Sequence, residues 1–412
     1  MRNRSFLFII LSCFAAPSEA QLGFNLKPGQ KRVQFPIEIV NNLIIVPVVL
    51  NGQLPLKFIL DTGVRTTILT EKAFSDILNL PYSRHFQVAG PGGEKIVDAY
   101  VTNNVTLDMP GIHGQGHAML VLQEDYLELR NYLGADVQGI LGYEVFSRFI
   151  VEVDYENRHL TILAPDYYKP KRRYETIHIE VEDTKPYVEV PVTLRNGTVL
   201  NAKLLVDTGA SHGLVLDPVS DSRIVVPEKH VNSLIGRGLG GAINGKIGRI
   251  NSIQLGKYKL EEVIANFPNP EDYGYLEDTI KSSFVFRNGA IGGELLRRFK
   301  VIFNFPMGKI YLKKNASFSR KFNFNLSGLT FKAKGVRLRR YEITDVREGS
   351  SAYKVGILTG DELVSINGIP AGDFDLNGIN TVFEMRPGKR LRLEISREGK
   401  TIVKKLLLIS EI

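Results

Sequence analysis

The sequence predicts a mainly β protein with two related lobes and a third, smaller domain. Its 412 residues include 38 glycines and 19 prolines, which favours many short strands joined by turns. A long imperfect duplication predicts the two lobes, and residues 323–412 have a different strand and helix pattern. Hydrophobic residues make up 43% and charged residues 23% of the chain. These ordinary values exclude long disordered or collagen-like segments.

Each copy of the duplication has the same internal plan. An apolar strand runs into an Asn-Gly hairpin turn, and a second apolar strand then ends at an Asp-Thr-Gly tripeptide. An apolar-apolar-Gly segment follows, 81 residues after Asp61 in the first copy and 85 residues after Asp207 in the second. A predicted half-buried strand comes next. The paired segments are 46–52 with 190–197, 58–63 with 204–209, 140–144 with 291–294, and 147–155 with 297–305.

The first twenty residues predict export. Arg2 and Arg4 precede the apolar run 6–16, and small residues at 18 and 20 suit a signal peptidase. A secretory signal peptide is therefore expected, and the protein would be periplasmic or secreted. Alternatively, 10–13 resembles a lipobox, which would anchor the chain through a lipid on Cys13. Since Cys13 is the only cysteine, an intrachain disulfide and a cysteine-based zinc site are excluded.

The domain boundaries follow from these patterns and from two polar connections. The basic stretch 169–173 separates the two copies, and the polar segment 313–325 follows the second copy. The expected divisions are a signal peptide (1–20), a first lobe (21–168), a second lobe (169–315) and the third domain (323–412).

The two Asp-Thr-Gly tripeptides predict a pair of cooperating carboxyl groups. Two carboxylates about 3 Å apart cannot both ionise, so they share one proton and supply a base and an acid together. The absence of a Cβ at Gly63 and Gly209 lets two such loops approach closely. The hydroxyls of Thr62 and Thr208 can bond across the junction. One aspartate from each lobe, Asp61 and Asp207, would complete the site.

These motifs resemble those of aspartic peptidases over residues 33–312. The duplicated length suggests a bilobal, pepsin-like monomer, while 61–69 and 207–210 are locally more similar to the retropepsin-type motif. The resemblance implies an acid-protease β-barrel fold in each lobe and a catalytic dyad of Asp61 and Asp207. It also implies that the strands ending at Gly142 and Gly292 support the two loops, and that no metal or other cofactor takes part.

The sequence departs from the pepsin-like pattern directly after each glycine. Pepsin-like enzymes usually have Ser or Thr there, whereas this chain has Val64 and Ala210. Losing donors that favour the ionised carboxylates raises the pKa values of the dyad. We therefore expect an activity optimum in weakly acidic to neutral conditions.

Two glycine-rich stretches are candidates for flaps that close over a substrate. The simpler alternative is that both are exposed turns. The candidate residues are Gly90, Gly92 and Gly93 in the first lobe and Gly238, Gly240 and Gly241 in the second.

Residues 323–411 resemble a PDZ domain. The best match is 360–368, and Gly328-Leu329-Thr330-Phe331 matches the family's carboxylate-binding loop more loosely. The resemblance implies that a peptide C-terminus binds this loop and adds as a strand beside a helix over 375–385. The basic residues at 332–340 are interpreted as a solvated strand face, or alternatively as an attraction for acidic peptide ends.

Other motifs carry less weight. His113 and His117 are spaced like helical zinc ligands, but the glycines around them predict a surface loop. Ser211 and His212 are adjacent, so their side chains point apart and a serine–histidine relay is not expected. The net charge of +8 is scattered, and no nucleic-acid-binding motif is present.

Together these features predict an exported aspartic endopeptidase with peptide or protein substrates. A PDZ-like domain would hold a peptide tail or a partner, no transmembrane helix is expected, and one chain would form the whole enzyme. Two alternatives remain open: a scaffold that grips peptides without cutting them, and an enzyme that is a dimer of chains.

Overall fold

The computed structural model describes residues 22–92, 96–272 and 285–412. The predicted signal peptide, Cys13 and the flap candidate Gly93 lie outside the described residues. Strands dominate the described chain, which confirms the predicted mainly β fold of two lobes and a small domain. Within these ranges, none of the helices has the length and apolar character that a membrane span requires.

The first lobe contains a large β-sheet and short helices. Its strands lie in the order β1-β9-β6-β10-β5-β4-β8-β7, with β3 beside β4. The turn between β4 and β5 has left-handed backbone at Asn51 and Gly52, as expected for an Asn-Gly hairpin. The elements are β1 (Gly23–Leu26), β2 (Arg32–Pro36), β3 (Glu38–Val40), β4 (Leu43–Leu50), β5 (Leu54–Leu60), β6 (Thr67–Leu69), α1 (Lys72–Ile77), β7 (Tyr82–Ala89), β8 (Ile96–Met109), β9 (Ile112–Leu122), α2 (Leu129–Leu133), β10 (Gly139–Leu141), α3 (Tyr143–Arg148), β11 (Ile150–Asp154) and β12 (His159–Leu163).

The second lobe repeats this plan. Its sheet runs β18-β19-β22-β17-β23-β16-β15-β20-β21, with β14 beside β15. In both lobes a short strand inserts next to the strand that ends at the aspartate: β10 is parallel to β5, and β23 is parallel to β16. The elements are β13 (Glu175–His178), β14 (Glu180–Glu182), β15 (Lys185–Thr193), β16 (Val199–Val206), β17 (Leu214–Leu216), β18 (His230–Gly238), β19 (Gly241–Arg249), β20 (Ser252–Leu255), β21 (Tyr258–Glu261), β22 (Ile264–Pro268), β23 (Gly289–Ile291), α4 (Gly293–Leu296), β24 (Phe299–Asn304) and β25 (Lys309–Lys314).

A further sheet joins the lobes. It runs β13-β25-β24-β11-β12-β2, so that β11 of one lobe pairs directly with β24 of the other. These two strands are shorter than the sequence pattern predicts, because α3 extends to Arg148 before β11 and a turn at 297–298 separates α4 from β24. They are also nearly fully buried rather than half-buried, since they lie inside the core that both lobes share. This sheet sets the relative position of the lobes.

The third domain is a small sheet with two helices and its own hydrophobic core. Its strands run β26-β27-β28-β30-β31, with β29 beside β28. Asp375 caps the second helix by accepting the amide of Gly378 at 2.6 Å. The elements are β26 (Leu329–Lys334), β27 (Arg340–Val346), α5 (Ser351–Lys354), β28 (Glu362–Ile366), β29 (Ile369–Pro370), α6 (Leu376–Phe383), β30 (Arg390–Arg397) and β31 (Lys400–Leu407).

This domain packs against both lobes. Val231, Ile247 and Ile264 of the second lobe contact its hydrophobic core. On the other side, the Asn131 side chain of the first lobe donates to the carbonyl of Ala333 at 2.8 Å. The small domain is therefore packed directly onto the two lobes.

The expectation of a loop with two surface histidines is wrong. His113 and His117 lie on β9, and His117 is buried. The His117 Nδ1 is 2.5 Å from Glu144 Oε2, and its ring packs on Phe24 with centroids 4.2 Å apart. In the part of the chain that the structure describes, no three His, Cys, Asp or Glu side chains converge as a metal site would require.

Candidate active site

The two Asp-Thr-Gly loops occupy equivalent positions in the lobes. Asp61 follows β5, and its amide donates to the carbonyl of Leu141 at 2.8 Å. Asp207 follows β16, and its amide donates to Ile291 at the same distance. Because β10 and β23 insert in the same way, both aspartates leave their sheets at the junction between the lobes.

Gly142 and Gly292 bring a second backbone segment against each loop. A Cβ on Gly142 would lie 2.0 Å from the carbonyl oxygen of Val64, and one on Gly292 would lie 2.2 Å from that of His212. Neither distance leaves room for a side chain. The segments meet through hydrogen bonds at these points, for example from the Tyr143 amide to the Val64 carbonyl at 2.9 Å.

The two threonines join the loops by reciprocal hydrogen bonds. The amide of Thr62 donates to the hydroxyl of Thr208, and the amide of Thr208 donates to the hydroxyl of Thr62, both at 3.0 Å. Each hydroxyl then donates across the junction, Thr62 to the carbonyl of Val206 at 2.6 Å and Thr208 to that of Leu60 at 2.8 Å. Both threonines are fully buried, so these bonds fix the loops against each other.

The structure brings the two predicted carboxyl groups together. The amide of Gly63 donates to Asp61 Oδ1 at 2.6 Å, and that of Gly209 donates to Asp207 Oδ1 at 2.9 Å. A Cβ on Gly63 would lie 3.1 Å from Asp61 Oδ1 and 3.2 Å from Asp207 Oδ1. A Cβ on Gly209 would lie only 2.1 Å from Asp61 Oδ2. Each glycine therefore makes room for the carboxyl of the opposite lobe.

This arrangement favours one shared proton. Burial raises the pKa of Asp61 well above its usual range, and the charge of Asp207 and a hydrogen bond to it raise the pKa further. The amides of Gly63 and Gly209 oppose the shift without cancelling it. The pair can thus hold one proton above the pH at which an ordinary aspartate loses it, and one acid with one base is the composition that combined acid and base catalysis needs.

A cleft of about 530 Å³ opens above the pair. Apolar side chains from both lobes line it, which suits a ligand with apolar groups on either side of the carboxyls. Those from the first lobe are Leu43, Ile59 and Ile140, and those from the second are Leu205, Val215 and Ala290.

The two glycine-rich hairpins meet over this cleft. The first consists of β7 and β8, and the second of β18 and β19. The amide of Gly240 donates to the carbonyl of Pro91 at 2.9 Å, and a Cβ on Gly92 would lie 2.2 Å from the carbonyl oxygen of Gly241. Likewise, a Cβ on Gly90 would approach Leu239 and one on Gly238 would approach Pro91. The glycines allow this tip-to-tip contact.

Sequence reasoning missed several residues of the cleft. His212 lies near Asp207, and burial lowers the pKa of its imidazole while the charge of Asp207 opposes that shift. Its place three residues after the second Asp-Thr-Gly is the sequence signal for this position. No sequence signal marked the others, because they reach the cleft from distant parts of the chain. They include Leu127, Leu129, Tyr132 and Leu133. Arg237, beside the flap candidate Gly238, and Thr330, from the expected carboxylate-binding loop, also line the cleft.

The loop expected to bind a carboxylate has some of its amides occupied. The Gly328 amide donates to Asn325 Oδ1 and the Leu329 amide to Ser327 Oγ, both at 3.1 Å. Phe331 is buried in the domain core, whereas Thr330 lines the cleft above the two aspartates. The two amides at the start of the loop therefore already have acceptors within the domain.

Four of the five basic residues beside this loop have partners within the protein. Lys334 pairs with Glu342 and Arg340 with Glu362, both inside the small domain. Arg339 donates to the carbonyl of Phe374, while Lys332 pairs with Glu128 of the first lobe. Carboxylates thus neutralise three of the five cations, and Lys332 contacts another part of the molecule.

Comparison with known proteins agrees with this geometry. A family model described as aspartyl protease matches residues 46–145 and 190–278, and a PDZ domain model matches residues 342–397. A putative zinc metalloprotease, LL2128 of Lactococcus lactis subsp. lactis, is 37% identical over 73 residues. That stretch is 18% of this chain and 17% of the relative, so the similarity is confined to a small part of both proteins. The chain thus carries an aspartyl protease domain, divided between the two lobes, followed by a PDZ domain.

Proposed function

We propose that this protein is an exported aspartic endopeptidase in which Asp61 and Asp207 activate a water molecule against the scissile carbonyl of a peptide. The observation that carries the proposal is the contact between two carboxyl groups from equivalent loops at the base of a cleft. The reciprocal threonine bonds and the apolar cleft walls support it. The apolar run at 6–16 supports export.

The raised pKa of Asp61 supports placing the shared proton on that carboxyl group. Asp61 holds the shared proton, and ionised Asp207 removes a proton from water as the oxygen attacks the carbonyl carbon. Asp61 gives its proton to the carbonyl oxygen, forming a tetrahedral diol. Breakdown returns a proton from the diol to Asp61 and transfers the one on Asp207 to the leaving nitrogen, so the C–N bond breaks and the dyad regains its starting state.

The hairpins and the PDZ domain have supporting roles in this proposal. The hairpin tips close over an extended substrate and keep bulk water from the reacting bond. The apolar walls receive side chains on either side of that bond. The PDZ domain binds a peptide segment or a partner protein, as its family suggests.

Cleavage of an unbiased peptide pool tests the proposal. Asp61→Asn and Asp207→Asn should each lower cleavage at least a hundredfold, because each removes one half of the acid–base pair. Asp217→Asn is a matched control: Asp217 is also buried in the second lobe, but its carboxylate caps a turn at the amide of Val219. It should retain activity.

Two outcomes would contradict the proposal. A folded wild-type protein that binds peptides but cleaves none would favour the peptide-gripping scaffold. Specific activity that rises with protein concentration would favour a dimer of chains.

A further inference from the structure

A segment of the first lobe contacts the PDZ domain along its edge strand. Residues 125–134, here called the bridge segment, contain α2 and follow β9. Besides the bond from Asn131 to the Ala333 carbonyl, Arg130 donates to the carbonyl of Val336 at 2.8 Å. Glu128 pairs with Lys332, whose side chain is 19% exposed. The contacts thus extend along β26 and just beyond its end.

The same segment forms one wall of the catalytic cleft. Leu127, Leu129, Tyr132 and Leu133 all line the cavity above the aspartates. One short stretch of chain therefore touches the PDZ domain on one side and the substrate site on the other.

Tyr132 connects three parts of the molecule. The guanidinium of Arg237, near the tip of the second hairpin, lies 4.3 Å from the centre of the Tyr132 ring. The ammonium of Lys332, on β26, lies 5.6 Å from the same ring. Each distance suits a cation–π contact. The ring thus contacts a cation of the hairpin and a cation of the PDZ domain.

The PDZ domain also contacts the cleft and the hairpin directly. Thr330 on β26 lines the cleft. Val231 of β18 and Ile247 of β19, at the base of the second hairpin, pack against the PDZ core. The domain therefore supports both the bridge segment and the hairpin that covers the substrate site.

Because β26 is an edge strand, a bound peptide would compete with the bridge segment for the same backbone groups. An edge strand offers unpaired backbone groups, and PDZ domains bind peptides by adding them to such an edge. Here the Ala333 carbonyl already accepts from Asn131. An extended peptide along β26 would have to displace the bridge segment.

We propose that the PDZ domain completes the substrate-binding cleft by positioning the bridge segment, with Glu128, Asn131 and Lys332 as positioning residues and Tyr132 as a specificity-determining residue. This inference rests on the proposed peptidase function. The contacts on β26 govern how well substrate binds, whereas the bond-breaking step depends on the two aspartates. Loss of the contacts should thus change KM far more than kcat.

Reversing the charge of Lys332 tests whether the PDZ domain affects substrate binding through the bridge segment. Lys332→Glu places like charges opposite Glu128, and we expect KM to rise about threefold to tenfold with kcat within about twofold. Glu128→Lys added to Lys332→Glu should restore most of the lost affinity. Asn131→Ala, which removes the donor to Ala333, should also raise KM.

Lys334→Glu is the matched control. Lys334 lies two residues along the same strand, but its partner Glu342 belongs to the PDZ domain. It should leave KM unchanged. A KM unaffected by Lys332→Glu, or raised equally by Lys334→Glu, would overturn the inference.

Hydrogen exchange separates failure of this inference from failure of the proposed function. Lys332→Glu should speed amide exchange in the second hairpin, and the paired reversal should slow it again. If hydrogen exchange changes in this way but no variant cleaves peptides, the positioning role is supported and the proposed peptidase activity is contradicted. Unchanged exchange in the hairpin would overturn the positioning role, whether or not the protein cleaves peptides.

Discussion

Thr62 and Thr208, 146 residues apart in the chain, each donate an amide to the other's hydroxyl at 3.0 Å. Both hydroxyls then donate to a backbone carbonyl of the opposite loop. All four bonds cross the lobe junction next to the two aspartates, and we call this set of bonds from Thr62 and Thr208 the clamp. Its geometry explains why threonine, which both donates and accepts, follows each aspartate.

Replacing either threonine by valine should destabilise the protein. Thr62→Val leaves the buried amide of Thr208 without an acceptor, at a cost of about 1–3 kcal/mol. Thr62→Ser keeps the hydroxyl and should cost much less. Urea unfolding measures the difference. The double change Thr62→Val with Thr208→Val should cost less than the sum of the single changes, because the two side chains belong to one network. Simple additivity would show that the clamp does not act as a unit.

Peptidase activity should peak in weakly acidic to neutral solution. A raised pKa for Asp61 means that the dyad keeps its shared proton to a higher pH than an ordinary aspartate would. Activity should fall when that proton leaves on the alkaline side and when a second proton binds on the acid side. The profile of kcat/KM against pH checks this. A maximum below about pH 3.5, near the ordinary aspartate value, would contradict it.

Gly209→Ala should abolish activity. The new Cβ would lie 2.1 Å from Asp61 Oδ2, so the carboxyl must move out of its position. A displacement of about 1 Å can cost a hundredfold in rate. Gly213→Ala is the control, because its Cβ would meet its nearest neighbour at an ordinary 3.6 Å. Initial cleavage rates of the two variants give the comparison, and equal rates would contradict the proposed tight packing.

Stability should fall as the pH rises towards 7 because of Glu384, at the end of α6. Burial and the charge of Glu294 in the second lobe raise the pKa of Glu384 from 4.5 to about 7, with Arg297 opposing. A carboxyl whose folded pKa is raised costs stability above its unfolded pKa, so the loss develops between about pH 4.5 and 7. Glu384→Gln should therefore raise the melting temperature at pH 8 and leave it unchanged at pH 4. Equal effects at both values would exclude ionisation as the cause.

Local sequence patterns were sufficient to predict the strands and turns around the two aspartates. The Asn-Gly turns, the apolar strands and the two Asp-Thr-Gly tripeptides predict short-range geometry, because turn chemistry and strand alternation act over a few residues. The His117 position shows where such reasoning fails. Gly114 and Gly116 indicated a loop, but pairing of β9 with its neighbours made a strand and buried the imidazole against Glu144 and Phe24.

By itself, the sequence determined that two equivalent loops each present an aspartate, since the duplicated motif specifies the same local backbone twice. The tertiary structure alone decided what surrounds them. Asn131 and Ala333 are 202 residues apart and have no distinguishing pattern, yet their contact brings the PDZ domain to the cleft. Such a contact depends on how whole domains pack, and the free energy of that packing is spread over many ordinary side chains that no short motif records.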